Sequence, residues 1–556
     1  MTERLTIALA QLNPCVGDIV ANADLIRTAR AKAAQQGAEL VMASELIVTG
    51  YPPEDLVLKG SFQDAVRKVV EALAIETADG GPGLLISAPW VENGKLFNAA
   101  LLLDGGRILA VIPKFDLPNY SVFDEKRLFS AGPRPGAVTF RGLKLGIMTC
   151  EDMWKPSVTK YVMEDGADIL LVLNGSPYEM DKTGTRTTFA EKRVRESGLA
   201  LVYVNQVGGQ DELVFDGSSF VLDANGEVRA LLSAFESDLV CVGFDLDNDT
   251  LIPQDGPMAI ELDENEAIYK ALVLVLRDYV NKNNFPGVMI GMSGGVDSAI
   301  TAAVAVDALG ADRVHCVMMP SPYTSQESLE DAALACKELG VRLDHIPIDP
   351  AMAAFNDMLK ETFEQHQADT TEENIQARSR GMILMAMSNK FGYMVVSTGN
   401  KSEMSVGYST LYGDMCGGFN VLKDVYKTRV FELCRWRNNN YCKGLIGPEG
   451  EVIPDRIITK PPSAELKPDQ TDQDTLPPYD KLDDILYGLI EEELSAAEIA
   501  ARGHDMDTVQ KVWHMLDRAE YKRRQAPPGV KITSRAFGRD RRYPLTNGFT
   551  AQGPNS

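Results

Sequence analysis

The octapeptide Gly291-Met292-Ser293-Gly294-Gly295-Val296-Asp297-Ser298 follows the apolar run Val288-Met289-Ile290 and opens an alanine-rich stretch. Paired glycines let backbone N–H groups close on an anion, and a helix N-terminus adds partial positive charge. Ser293 and Ser298 supply hydroxyl donors for phosphate oxygens, and Asp297 is a carboxylate of the kind that holds a bridging magnesium ion. The loop lacks the GK[ST] ending of a Walker loop. Its composition is too specialised for a plain strand-to-helix turn. In the other half of the chain, Lys144–Thr149 reads as a strand ending at Cys150-Glu151-Asp152, which puts a thiol at a tight turn. A single cysteine in apolar surroundings is usually an inert core residue. Glu45, in Ser44-Glu45-Leu46, and Lys114, in Ile112-Pro113-Lys114-Phe115, also stand at the ends of strand-like runs. An acid, a base and a thiol converging from three strand ends make a nucleophilic site. The lysine favours the thiolate and steadies an oxyanion, while the carboxylate moves the proton.

The glycine loop resembles the pyrophosphate loop of the N-type ATP pyrophosphatases. Further stretches narrow that resemblance to the NAD synthetases: Ser397-Thr398-Gly399-Asn400-Lys401-Ser402-Glu403, Tyr412-Gly413-Asp414, Lys427, Pro462-Ser463-Ala464-Glu465-Leu466 and Tyr521-Lys522-Arg523-Arg524. By family position, Gly291, Met292, Ser293, Gly294, Gly295, Val296, Asp297, Ser298, Thr398, Lys427 and Ser463 would hold ATP as co-substrate. Asp297 and Glu403 would carry Mg2+, and Asn374, Glu403 and Lys522 would contact deamido-NAD. Leu411 departs from the pattern, because single-domain relatives often carry a lysine there; that contact is lost or supplied by another residue.

Glu45, Lys114 and Cys150 resemble the Glu-Lys-Cys triad of the nitrilase superfamily. The neighbouring text agrees: Gly50-Tyr51-Pro52-Pro53-Glu54-Asp55-Leu56, Leu117-Pro118-Asn119-Tyr120, Phe123-Asp124-Glu125-Lys126-Arg127 and Asn174-Gly175-Ser176-Pro177. That resemblance implies that Glu125 orients the lysine, and that Tyr120, Ser176 and Lys182 grip the α-amino and α-carboxylate groups of glutamine. Lys182 also fits an ordinary surface charge. Taken together, the halves resemble the glutamine-dependent NAD synthetases along essentially the whole chain. The implied reaction converts deamido-NAD, ATP, glutamine and water to NAD, AMP, pyrophosphate and glutamate through an acyl adenylate. An internal ammonia tunnel, coupled domain motions and a homo-oligomer between dimer and octamer are also implied.

The elements that must position these residues fall into two series. Strand-like runs at Thr6–Leu12, Leu40–Ala43, Leu84–Ala88, Ala99–Leu103, Ile108–Ile112, Lys144–Thr149, Ile169–Leu173, Ala200–Asn205, Ser218–Leu222 and Leu239–Phe244 are rich in Val, Ile and Leu. Between them lie helical patterns such as Ala21–Gln36 and Arg186–Ser197, and hairpin turns at Asp104-Gly105-Gly106 and Ala224-Asn225-Gly226. Beyond an acidic stretch, strands at Val288–Gly291, Val314–Met318, Leu343–Ile348 and Tyr393–Ser397 alternate with helices, the pattern of a doubly wound parallel sheet. The expected class is α/β. A nitrilase-like α-β-β-α sandwich over 1–245 and a linker over 246–264 precede a Rossmann-like ATP pyrophosphatase domain over 265–556. The aperiodic, Pro-, Gly- and Asp-rich region Asn438–Pro478 is expected to form mobile loops.

Composition narrows the function classes. Apolar content of 45% with 24% charged residues is globular, and no apolar run approaches the roughly 20 residues of a membrane span. A net charge of −24 excludes a general nucleic-acid binder, whose phosphates demand a basic face. Eight scattered cysteines without a CxxC pair, and an N-terminus running directly into a strand, point to the reducing cytoplasm. One stretch runs against the acidic trend: Tyr521–Arg542 carries eight Lys or Arg against the single acid Asp540. It fits either a solvated or subunit-contacting tail or a clamp for a polyanionic small molecule. An amidotransferase of the same ATP pyrophosphatase class acting on another carboxylate or nucleotide is the alternative. Purine-nucleotide synthetases with this loop usually use a Cys-His-Glu glutaminase, and none of the five histidines is near Cys150 in sequence.

Overall fold

Alternation along the strand Arg4–Gln11 sends Leu5, Ile7 and Leu9 to one face and Ala8 and Ala10 to the other, and both faces are buried. A strand so placed belongs inside a layered structure. The computed structural model describes residues 4–180, 183–247, 250–468 and 470–549, and the chain divides into two units between Leu262 and Asp263.

In the first unit Arg4–Gln11 lies within a seven-stranded sheet, in the order Thr250–Pro253, Asp238–Asp247, Arg4–Gln11, Leu40–Ala43, Gly83–Glu92, Lys95–Asp104 and Arg107–Pro113. Its three middle strands are parallel and the outer ones antiparallel. A six-stranded sheet faces it, ordered Val228–Leu231, Phe220–Leu222, Leu201–Asn205, Ile169–Asn174, Leu143–Thr149 and Val138–Phe140. Leu5, Ile7, Leu40, Met42 and Leu85 from one sheet meet Leu145, Ile147, Leu171, Val202 and Val204 from the other. Each such side chain contributes about 1.5–3 kcal/mol of burial free energy. The helices Ile19–Gln35 and Gly60–Glu76 cover the outer face of the first sheet, while Pro156–Glu164 and Thr183–Ser197 cover the second. The result is an α-β-β-α sandwich. Part of the segment expected as linker is sheet: Thr250–Pro253 pairs with Asp238–Asp247, because Leu251 is fully buried between the layers.

The second unit is built on a parallel sheet in the order Arg342–His345, Val314–Met318, Val288–Gly291, Met394–Ser397 and Phe419–Asn420. Strand order reverses between Val288–Gly291 and Met394–Ser397, which opens a crevice at their carboxyl ends. Both sequence-derived nucleotide loops, 291–298 and 398–403, leave the sheet at that crevice. The expectation of mobile loops over Asn438–Pro478 is corrected in part. Val452, Ile453, Ile457 and Ile458 are buried, Asn438 Nδ2 donates to Ile453 O at 2.7 Å, and Arg456 pairs with Asp331 at 2.7 Å. Side-chain-to-backbone bonds of this kind leave no periodicity to read. Among the described residues no helix is long and apolar enough to cross a membrane.

Candidate functional site

Cys150 sits between the strand Leu143–Thr149 and the short helix Glu151–Trp154. Its backbone adopts φ 47° and ψ −99°, a sparsely populated region for a residue with a Cβ, which costs about 1–3 kcal/mol. Its N–H donates to Leu173 O at 2.9 Å, so the neighbouring strand helps hold the turn. Glu45 follows the strand Leu40–Ala43 and Lys114 follows Arg107–Pro113. Lys114 Nζ donates to Glu45 Oε1 at 2.7 Å and to Glu125 Oε1 at 2.9 Å. Asn98 Nδ2 and the Gly175 N–H also donate to Glu45, at 2.7 and 3.1 Å, and Tyr51 OH donates to Glu125 at 3.0 Å. Glu45, Lys114, Glu125 and Cys150 are all buried.

Burial disfavours the Lys114 charge, but Glu125 and Glu45 outweigh it and hold the ammonium above the usual lysine range. Burial pushes Glu125 up to about 7; Lys114 pulls it down and Glu45 pushes it further up. Burial and then the Glu45 charge hold the Cys150 thiol well above its ordinary range, against the pull of Lys114. Burial, Glu45 and Glu125 thus oppose the thiolate that Lys114 favours.

Tyr120 OH donates to Glu151 Oε2 at 2.7 Å, beside Cys150, and the residue is half exposed. Ser176 is buried, with its N–H on Asn205 Oδ1 at 3.0 Å and its carbonyl on Arg186 Nη2 at 3.0 Å. Arg186 is itself paired with Asp216 at 2.7 Å. Lys182 lies outside the described residues. Sequence reasoning missed Asn98, Asn205, Arg186 and Asp152. A lone amide inside Phe97-Asn98-Ala99-Ala100 was the available signal for the first.

In the second unit, Gly294 takes φ +81°, and a Cβ there would meet Ser328 O at 2.3 Å. Only glycine fits. Ser293 and Ser298 brace the loop: the Ser293 N–H donates to Ser298 Oγ at 3.3 Å, and the Gly295 N–H to Ser293 Oγ at 3.2 Å. Beneath the loop runs the helix Val296–Leu309, whose N-terminus faces a cavity of about 290 Å³. Its wall includes Gly291–Ser298, Thr398, Glu403, Lys427 and Ser463. Asn400-Lys401-Ser402-Glu403 opens the helix Lys401–Val406 with a capping box: Asn400 accepts from the Glu403 N–H at 3.0 Å and Glu403 accepts from the Asn400 N–H at 3.4 Å. The free amide of Asn400 donates to Asp297 Oδ1 at 3.0 Å.

Lys427 Nζ binds Asp297 Oδ2 and, at 3.1 Å, Glu403 Oε1. One cationic centre thus already spans the two carboxylates assigned to Mg2+. Burial pushes Glu403 up to about 8, with Lys427 pulling down and Asp297 and Asp472 pushing up. Among the described residues no three His, Cys, Asp or Glu side chains converge as a preformed metal cluster. Two hard carboxylates fit magnesium, which usually takes one or two of them plus substrate phosphates. Ser463 Oγ donates to Gln470 O at 2.5 Å and accepts from the Glu465 N–H at 3.1 Å.

Asn374 and Lys522 are not among the residues that wall this cavity. Asn374 Oδ1 accepts from Thr410 Oγ1 at 2.9 Å, and Lys522 Nζ donates to the carbonyls of Gly407 and Ser409 at 2.7 and 2.6 Å. Both brace the segment leading to Tyr412-Gly413-Asp414. Arg378 Nε donates to Leu411 O at 3.2 Å. The basic stretch Tyr521–Arg542 is neither a bare tail nor a free clamp. Arg523, Arg524 and Arg541 converge on Glu520, Lys531 pairs with Asp540, and Arg535 pairs with Glu493.

Residues 6–253 match the family model for carbon-nitrogen hydrolase and residues 268–526 that for NAD synthase. The glutamine-dependent NAD(+) synthetase of Rhodobacter capsulatus is 48% identical over 559 residues, covering 99% of this chain and 100% of its own. The chain belongs to the glutamine-dependent NAD synthetase family. A member from Thermotoga maritima is 42% identical over 98% of this chain and 99% of its own. The solved glutamine-dependent NAD+ synthetase of Acinetobacter baumannii, in complex with ADP, superposes with a TM-score of 0.78 at 45% identity, over 99% of each chain. That of Cytophaga hutchinsonii shares the fold, with a TM-score of 0.81 at 20% identity. As a glutamine-dependent NAD synthetase the chain is a ligase, with ATP-dependent amidation as its reaction.

Proposed function

We propose that the two sites divide one reaction: glutamine is opened at Cys150, and the ammonia released amidates deamido-NAD activated at the 291–298 loop. Cys150 Sγ attacks the side-chain carbonyl of glutamine while Glu45 takes the thiol proton and returns it to the departing ammonia. The tetrahedral oxyanion is met by Lys114 and by the backbone N–H of Glu151. Water, deprotonated by Glu45, then cleaves the γ-glutamyl thioester and glutamate leaves. Glu125 keeps Lys114 aimed, and Tyr120, Ser176 and Lys182 hold the α-groups of glutamine. The observation that carries this half is a buried lysine spanning two glutamates beside a strained, buried cysteine.

In the second unit the carboxylate of deamido-NAD attacks the α-phosphorus of ATP and pyrophosphate leaves. Ammonia then attacks the acyl adenylate, AMP leaves and the amide of NAD remains. Ser293, Ser298 and the loop N–H groups bind phosphate oxygens, with Thr398 and Ser463 completing the nucleotide site. Asp297 and Glu403 would hold magnesium, which when bound neutralises phosphate charge. Lys427 exchanges its two carboxylates for phosphate oxygens. Asn374, Glu403 and Lys522 orient the dinucleotide. Ammonium is not nucleophilic, so ammonia passes between the sites without equilibrating with solvent. We also assign the activity to the cytoplasm, which eight free cysteines suit, and to a homo-oligomer.

Acid-quenching the enzyme during glutamine turnover is expected to leave a γ-glutamyl adduct on the peptide carrying Cys150. An adduct elsewhere, or none, would sink the covalent route. In a labelled-ammonia competition, most of the NAD nitrogen should come from glutamine, whereas extensive exchange with bulk label would refute direct transfer.

A further inference from the structure

The strands that carry Lys114 and Cys150 fix where each residue leaves its sheet, but not the path of the turns that follow. One side chain binds the backbone of both turns. Asp152 is buried, and its Oδ1 accepts the backbone N–H groups of Asp116 at 2.8 Å and Phe115 at 3.1 Å. Its Oδ2 accepts the N–H of Thr149 at 3.1 Å. Phe115 and Asp116 directly follow Lys114, and Thr149 directly precedes Cys150. The bond to Thr149 is an ordinary local turn, closed also by Met153 N–H on Cys150 O at 3.0 Å. The bonds to Phe115 and Asp116 reach across 37 and 36 residues, and a local turn has no use for them. A second tie supports the same join, with Lys155 Nζ on Asp116 Oδ1 at 2.7 Å.

We propose that Asp152 is a positioning residue for glutamine cleavage, locking the backbone beside Lys114 to the backbone beside Cys150. The tip of Lys114 is already held by Glu45 and Glu125, so a shift between the two turns changes the distance from ammonium to thiol rather than relaxing it. Acyl transfer is sensitive to such shifts, since about 1 Å of misplacement costs about a hundredfold in rate. The inference rests on the assignment of Cys150 and Lys114 made above. Burial pushes the Asp152 carboxyl up to about 7, against the pull of the Asp116 and Thr149 N–H groups. An amide of the same shape keeps one of the two acceptors, so D152N disturbs folding less than D152A.

The test uses the full-length enzyme with D152N, D152A and C150A, each assayed with glutamine and with ammonia as nitrogen donor. In D152N one carboxylate acceptor becomes a donor, so one side of the join is lost; in D152A both are lost. Glutamine-driven kcat is expected to fall about tenfold in D152N and about a hundredfold in D152A. KM for glutamine should stay within about twofold and ammonia-driven NAD formation should stay at the wild-type level. Should D152A not fold, D152N carries the test alone. If D152N keeps kcat within about twofold of wild type while C150A is inactive with glutamine, the positioning role is overturned and the nucleophile assignment stands. Equal loss with both donors in D152N would also overturn it, as a structural defect. Glutamine-driven activity surviving in C150A would overturn the underlying assignment instead.

Discussion

Lys114 and Lys427 occupy similar surroundings in different units. Each is buried and each lies between two carboxylates, Glu45 and Glu125 for the first, Asp297 and Glu403 for the second. Around Lys114 the carboxylates have further partners in Asn98, Tyr51 and the Gly175 N–H, so the cluster is complete before glutamine arrives. Asp297 and Glu403 have a further partner too, in Asn400, but with Lys427 they line a cavity. On the proposed reading, those ion pairs give way when nucleotide supplies phosphate oxygens to Lys427. On that reading a lysine between two acids is a finished catalytic part in one unit and an exchangeable one in the other, and the cavity makes the difference.

Removing each lysine separates the two cases. K114M leaves Glu45 and Glu125 buried without their cation and removes the proposed oxyanion donor. Glutamine-driven NAD formation should fall by about a thousandfold or more, with ammonia-driven formation retained. K427M should instead cost about a hundredfold with either donor, while glutamine hydrolysis continues. Steady-state rates with both donors check the pair; swapped patterns would break the comparison.

A smaller effect reads the resting state of the Cys150 thiol. Because burial and Glu45 raise the Cys150 thiol, its thiolate fraction grows as pH rises. Alkylation of Cys150 by iodoacetamide, without glutamine, should therefore climb about tenfold per unit between about pH 6 and pH 8 with no plateau. A plateau starting below about pH 7 would mean a standing thiolate held by Lys114.

Much of the framework was legible because apolar periodicity marks strands. The bounds of Leu40–Ala43 and Val314–Met318 coincide with the runs read from sequence, and Leu143–Thr149 differs by one residue. The helix Asp349–Phe363 went unread although Met352, Phe355, Leu359 and Phe363 recur at helical spacing; none of its side chains is fully buried, and Phe355 and Met358 are exposed. At the sites, residue types at strand ends and in loops pointed to Glu45, Lys114, Cys150 and Asp297. Partners that act through long-range hydrogen bonds were invisible, Asn98 and Asp152 among them, because nothing local announces a bond 37 residues away. Charge counting misled at Tyr521–Arg542, since Glu520 and Glu493 lie outside that window.

The division of labour between the two units is tested most directly by C150A, assayed with deamido-NAD, ATP and either glutamine or ammonia. Glutamine-driven NAD formation should vanish while ammonia-driven formation proceeds at close to the wild-type rate. Equal loss with both donors, or glutamine-driven turnover that survives, would contradict it.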